Sequence, residues 1–246
     1  MQLDYNLTFF FLLLPFVSFL YSSVGHGGAS GYLALMALFS FPTELMKQTA
    51  LVLNLFVAGI TFYQYYRGGH FNKNLFIYFA LGSIPTSYLG GLWSIDPVLY
   101  KKILGFLLIF AIARILFSIN KNADELKLIR PVIALLIGST IGFFSGLIGI
   151  GGGIILSPVI LLLHWGKMKE TAAVSALFIW VNSFSGLLGQ WTSGLNLSSS
   201  SAFMIVLALL GGALGSYVGS SKWNNKRLEY LLALVLTTAA IKLILF

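Results

Sequence analysis

Apolar runs long enough to cross a bilayer recur from one end of this 246-residue chain to the other, and no other feature restricts its fold as much. A helix needs about 20 predominantly apolar residues to cross a hydrocarbon core about 30 Å thick. The runs fall at 7–24, 28–41, 46–66, 74–93, 99–118, 131–148, 152–165, 168–191, 199–220 and 227–246. They predict an all-α polytopic membrane protein, multi-pass by construction. Charged residues make up 9% of the chain, against about 25% in a soluble domain, and no interval is long and polar enough for a separate soluble domain. The net charge of +8 is carried by basic residues placed singly or in pairs between apolar runs. That placement reads as topology determinants and contacts to lipid headgroups, and not as a nucleic-acid surface. Cysteine is absent, which excludes disulfides, thiolate metal sites and a cysteine nucleophile. The start "MQLDYN" lacks the positive flank of a signal peptide and reads as the beginning of the first membrane segment.

The runs divide into two sets of five around "NKNADELKLIRP", the most polar stretch of the chain. The division gives a first transmembrane repeat over 1–118, a cytoplasmic linker over 119–130 and a second transmembrane repeat over 131–246. Internal matches support a duplication. "GHGGAS" from Gly25 aligns with "GIGGGI" from Gly149, "QTAL" from Gln48 with "ETAA" from Glu170, and "GSIPTSYLGG" from Gly82 with "GGALGSYVGS" from Gly211. Placing Arg67 and Lys73 in the cytoplasm puts Lys121, Lys127, Arg130, Lys167, Lys169, Lys222, Lys226 and Arg227 there too. Lys47, Lys101, Lys102 and Lys242 then fall outside. Equivalent loops thus land on opposite faces, which predicts two inverted-topology repeats with both termini outside.

Segments 28–41 and 152–165 hold about 14 residues each, roughly 21 Å of helix, too short to span alone. With 7–24 and 131–148 they predict a glycine-broken helical hairpin in each repeat, followed by about three spanning helices. Glycine rows spaced by four, Gly138/Gly142/Gly146 and Gly211/Gly215/Gly219, read as flat faces for close helix packing. The run Gly151–Gly153 does not fit that purpose. Its members do not share a face, and each costs about 1 kcal/mol in a helix relative to alanine.

A backbone break there frees N–H groups at the positive end of the following short helix, which is the chemistry of an anion site. The candidates for the main-chain part of such a site are Gly25, Gly27 and Gly28 in the first repeat and Gly149, Gly151, Gly152 and Gly153 in the second. His26, where the second copy has Ile150, can pair with an anion and carry a proton, or simply bond a helix end. Polar side chains that could line the path are Ser22, Gln48, Thr49, Asn54, Thr171 and Asn182, with Ser23, Ser145, Ser175 and Gln190 beside them. Any of these can instead bond a carbonyl one turn back. The acidic residues all fall near loops or segment ends, so no carboxylate relay or acid-lined cation pathway is evident. No cluster with metal-ligand spacing and no paired carboxylates or Ser/His/Asp set is visible, so neither a metal, another cofactor nor an enzyme is indicated.

The phrases "YSSVGHGGASGYL" and "SGLIGIGGGIILSPVIL", each followed by a "TA" motif and a "GG…LGS"-type helix, resemble the sulfite exporter TauE/SafE family, also called the four-toluene sulfonate uptake permease family. The resemblance covers essentially the whole chain, and the second phrase with its SP ending is the more specific. It implies a secondary transporter of the bacterial inner membrane for sulfite, thiosulfate or organosulfonates. It implies substrate class only, since His26 departs from the usual first-half pattern. Coupled protons and assembly as a homodimer stand as further expectations about partners. An anion channel of similar selectivity, without a coupled cycle, is the alternative.

Overall fold

The computed structural model describes residues 2–116, 126–192, 194, 200–221, 237 and 241. Among them the chain forms nine helices. These are α1 (Gln2–Ser23), α2 (Ala29–Leu38), α3 (Thr43–Arg67), α4 (Lys73–Leu92), α5 (Pro97–Leu116), α6 (Pro131–Ile148), α7 (Gly153–Leu162), α8 (Met168–Trp191) and α9 (Ser201–Ser220). Nine of the ten expected segments are thus present, with ends shifted by a few residues. The tenth, 227–246, lies outside the described residues apart from 237 and 241, as does the linker up to 125. Five helices, α3, α4, α6, α8 and α9, are long and apolar enough to cross a membrane. The starts follow local chemistry. Asn72 caps α4 by accepting the Leu75 N–H, and Asp96 caps α5 by accepting from Val98 and Leu99 ahead of a proline start.

The distribution of side chains is that of a protein solvated by lipid. Large apolar residues such as Leu81, Phe106, Val132, Leu136, Leu210 and Leu214 face outward. The interior holds His26, Asn54, Asn182, Gln190 and many Ser and Thr residues, and among the described residues no Asp, Glu, Lys or Arg is buried.

Small residues set the helix pairings, and their register sets the helix directions. A Cβ on Gly138, Gly142 or Gly146 of α6 would strike the carbonyls of Phe79, Ser83 and Ser87 on α4. The two series advance together, so α4 and α6 run parallel. Gly211, Gly215 and Gly219 of α9 meet the carbonyls of Pro15, Phe19 and Ser23 in the same way, so α1 and α9 are parallel. The expected flat faces are therefore used for packing. Across α4 and α8, Ser185 donates to Ile84 O at 2.6 Å and Ser87 to Asn182 O at 2.8 Å, and the glycine contacts Gly189–Tyr88 and Gly91–Gly186 again advance together. Helices α3 and α8 run oppositely: Gln48 bonds Gly194, Asn54 bonds Ser183, and Gly59 lies against Trp180.

Each short helix folds back on the helix before it. Ser30 donates to the Tyr21 hydroxyl at 2.8 Å, the Tyr32 hydroxyl to Ser18 at 2.9 Å, and Phe39 packs edge-on to Phe10. Helix α2 therefore returns antiparallel along α1. At ten residues it is about 15 Å long, half a bilayer. In the second hairpin Lys127 N–H bonds His164 O at 2.8 Å, which places the start of α6 and the end of α7 on one face. The same face holds the end of α3. There His70 sits close enough to α8 that burial, then Lys169, push its pKa below the ordinary histidine value, with Glu170 acting the other way.

Candidate functional site: two glycine breaks meeting at Asn54

The breaks between α1 and α2 and between α6 and α7 have closely similar backbones. Gly25 and Gly149 have φ of 83° and 85°, and Gly28 and Gly152, the residues that start the short helices, have φ of 99° and 77°. At the far ends, Ser40 and His164 have φ of 59° and 58°. Each pair is separated by the same number of positions. Left-handed values cost a side-chain-bearing residue of the order of 1–2 kcal/mol, which is why glycine occupies the breaks.

The two breaks converge. A Cβ on Gly27 would lie 2.9 Å from Asn54 Oδ1 and 3.0 Å from Ile179 Cγ2, and one on Gly151 would lie 2.5 Å from Asn54 Nδ2 and 2.9 Å from Ile179 Cγ2. Asn54, fully buried on α3, is therefore pinched between them, opposite Ile179 on α8. Its Nδ2 donates to Ser183 Oγ at 3.1 Å, while Oδ1 has no partner. Neither short helix has a side-chain cap. The N–H groups of Ala29, Ser30 and Gly31, and those of Gly153 and Ile154, have no acceptor among the described residues, although all five residues are buried. Buried unpaired backbone donors are rare in folded proteins, and here two sets of them flank one crossing point, each at the positive end of a helix.

His26 links the first break to the second half. Its Nδ1 faces Val24 O at 3.1 Å and therefore carries a hydrogen, since a carbonyl only accepts. Its Nε2 lies 3.1 Å from Ser157 Oγ, which is 2.8 Å from Ser175 Oγ on α8.

Of the other expected residues, Gly153 packs on Ile179 beside the crossing, Gly25 against Ala172, Gly28 against Tyr32 and Gly152 between Ile141 and Phe178. Gly149 rests on the backbone of Lys47. Ser22 lies by Gly212, Thr171 by Gly166, and both hydroxyls are buried without a partner, as is that of Thr49. Asn182 donates back to Phe178 O at 2.8 Å, the local bond that polar helix residues often make. Gln48 donates to Gly194 O at 3.1 Å, near the start of α3 and away from the crossing.

Ile179, Ser157 and Ser183 reach the site without having been expected there. Lys47 was legible: extending the "QTAL" and "ETAA" match by two residues gives "MKQTA" at Met46 and "MKETA" at Met168. Both lysines tie the start of their helix to the end of another. Lys47 donates to Trp93 O at 3.3 Å, and Lys169 donates to Ser220 O and Ser221 O at 3.1 and 2.7 Å.

The model of the family described as "Sulfite exporter TauE/SafE" matches residues 10–243. The chain belongs to the sulfite exporter TauE/SafE family. It is thus a multi-pass membrane protein of a transporter family. It is 34% identical over 232 residues to a "Probable membrane transporter protein" of Sinorhizobium fredii, covering 93% of this chain and 94% of the relative. A second "Probable membrane transporter protein", from Bacillus subtilis, is 26% identical over 250 residues, or 93% and 96% of the two chains. A third, from Methanocaldococcus jannaschii, is 34% identical over 119 residues, 45% of this chain and 42% of the relative. No solved structure matches the chain significantly.

Proposed function

We propose that this membrane transporter is a secondary carrier of a small sulfur-containing anion, of the sulfite, thiosulfate or organosulfonate class, in the bacterial inner membrane. The observation that carries the reading is the meeting of two glycine breaks at Asn54, each presenting unpaired backbone N–H groups at a helix start. Such donors replace the water around an oxyanion without needing a fixed cation, and the positive helix ends supply the charge complement. The Asn54 amide, held by Ser183, adds a side-chain donor at the same point.

Transport proceeds by alternating access between two inverted-topology repeats. Three features support the inversion: the matched backbone angles at the breaks, the opposite directions of α3 and α8, and the parallel pairs α4–α6 and α1–α9, which exchange equivalent helices. In this arrangement, one repeat rocks against the other about the crossing and exposes the anion to each face in turn.

Asn54→Leu tests the site, because leucine keeps the branched shape of asparagine and removes an amide whose oxygen is already unpartnered. Thermal stability should fall by no more than about 1–3 kcal/mol, the usual cost of added volume at a packed site, so the variant remains folded. Uptake of labelled sulfite, thiosulfate or methanesulfonate into proteoliposomes should fall at least about tenfold, the loss of one good donor to a charged group. Full uptake by a stably folded variant would remove Asn54 and the crossing from the mechanism. Saturating flux with a finite turnover separates a carrier from a channel.

Coupled protons enter through His26. In the neutral ring Nε2 accepts from Ser157, whereas a second proton there forces Ser157 to accept and to turn its own hydrogen toward Ser175. Protonation thus rewires the joint between the first break and α7–α8. His26→Gln keeps a polar group without a proton to exchange, and the dependence of flux on pH between about 5 and 8 should flatten. An unchanged pH profile in that variant would assign His26 a structural part only.

A further inference from the structure

A second polar feature lies away from the crossing. A cavity of about 140 Å³ opens between the starts of α3, the end of α4 and the end of α8, and is lined by Lys47, Glu44, Gln190, Trp93 and Tyr100 among others. Its inner wall leads to the second break: the Tyr100 hydroxyl donates to Ile148 O at 2.9 Å, and the next residue, Gly149, rests on Lys47.

Two groups in this wall have hydrogen-bonding capacity to spare. The Gln190 side chain is 4% exposed, and both its Oε1 and Nε2 lack any partner. An amide buried in that way is costly unless something polar meets it. Lys47 spends one of its three ammonium hydrogens on a long bond to Trp93 O and meets no carboxylate within ion-pair distance among the described residues. Its sequence counterpart Lys169 is held by two carbonyls, the nearer at 2.7 Å. The opposing charge at this mouth is Glu44, one turn before Lys47 and exposed at the rim.

We propose that this cavity is a binding site for a small oxyanion, separate from the glycine breaks, in which Lys47 supplies the charge and the Gln190 amide a hydrogen-bond donor. The site is the staging point from which the anion reaches Gly149 and then Gly151. It rests on the transport reading for that role, though not for its ligand chemistry. A lipid phosphate offers similar chemistry, and the lipid composition in the test separates the two sources.

The full-length protein is reconstituted in purely zwitterionic vesicles, and the rate of acetylation of Lys47 and Lys169 by an N-hydroxysuccinimide ester is read by peptide mass spectrometry. Methanesulfonate at about ten times its dissociation constant should slow modification of Lys47 roughly tenfold relative to chloride of equal ionic strength. Lys169 should be unaffected. Gln190→Leu should abolish the protection, and Glu44→Gln should produce it at lower methanesulfonate concentration. No protection of Lys47, equal protection of both lysines, or protection produced by adding anionic lipid in place of methanesulfonate would each overturn the proposal.

Flux supplies the independent arm. Lys47→Gln should raise KM for the anion about tenfold, with Lys47→Arg near the parent, as expected when a charge worth one decade of affinity is removed or kept. Protection at Lys47 without any sulfur-anion flux would leave the cavity site standing and refute the transport reading. Flux that needs Asn54 but is indifferent to Lys47→Gln would do the reverse.

Discussion

Gly151→Ala is expected to lower sulfur-anion flux about 10- to 100-fold, the change corresponding to roughly 1–3 kcal/mol of backbone and steric cost at the crossing. Two effects combine there. Gly151 has φ of +75°, and a Cβ would come within 2.5 Å of Asn54 Nδ2 and 2.9 Å of Ile179 Cγ2. The variant must therefore displace Asn54 or pull the second break away from the first. A control isolates the site from the backbone penalty. Gly69 has φ of +72° with nothing within 4 Å, so Gly69→Ala carries similar strain and no collision. It should cost about 1 kcal/mol of stability and leave flux intact. Uptake in proteoliposomes is the measurement for both. Equal flux in the two variants would dissociate the crossing from transport.

Gly146→Val should be the most damaging of the packing changes. Gly146 sits on the α4–α6 face, where its Cβ would overlap the Ser87 carbonyl and lie 2.8 Å from the Gly91 N. Both obstacles are backbone, so no side chain can swing aside. Relief requires parting two helices that are also joined by Thr86 Oγ1 donating to Ser139 O at 2.8 Å. Overpacking of this kind costs about 3 kcal/mol or more, which lowers the melting temperature by about 10 °C for a chain of this size. Leu136→Val, on the outward face of the same helix and 61% exposed, should change it by less than about 2 °C. Thermal unfolding in detergent with both variants checks the contrast. Similar melting of Gly146→Val and parent would mean that this face is not a close contact.

The two effects mark different uses of the same residue type. At Gly146 the missing side chain lets helices approach, and the backbone stays helical. At Gly151 it lets the chain turn out of a helix and come up to a polar side chain. The first use determines stability, the second what the protein can hold. Spacing separates them in the sequence, since packing glycines recur every fourth residue and the break glycines are adjacent.

Much of the architecture is a local property and is therefore legible in the chain. The length of an apolar run decides whether a helix can reach across a bilayer, so α1–α9 fall where the runs fall. The breaks are equally local. Only glycine tolerates left-handed backbone at little cost, and consecutive glycines announce that backbone wherever they stand. The likeness of "GHGGAS" and "GIGGGI" reappears as the matched angles at Gly25 and Gly149. The family follows from the same phrases.

Which polar side chains meet is not local. Asn54 and Ser183 lie 129 positions apart and bond because α3 and α8 cross in opposite directions at that depth. Gln48 and Thr49 are one turn or two from Asn54 in sequence, yet Gln48 belongs to the cavity at the helix start, and Asn54 to the crossing. Period and hydropathy fix the depth of a residue along a helix but leave free the rotation of that helix about its axis, which the glycine faces of α4–α6 and α1–α9 set. A polar residue on an apolar helix can therefore be recognised from sequence, while its partner emerges only when the helices dock. Sequence alone determined the helices and the two glycine breaks. Tertiary packing decided that the breaks face one asparagine, and that Lys47 lines a cavity beside them, because both depend on how helices from the two halves are turned against each other.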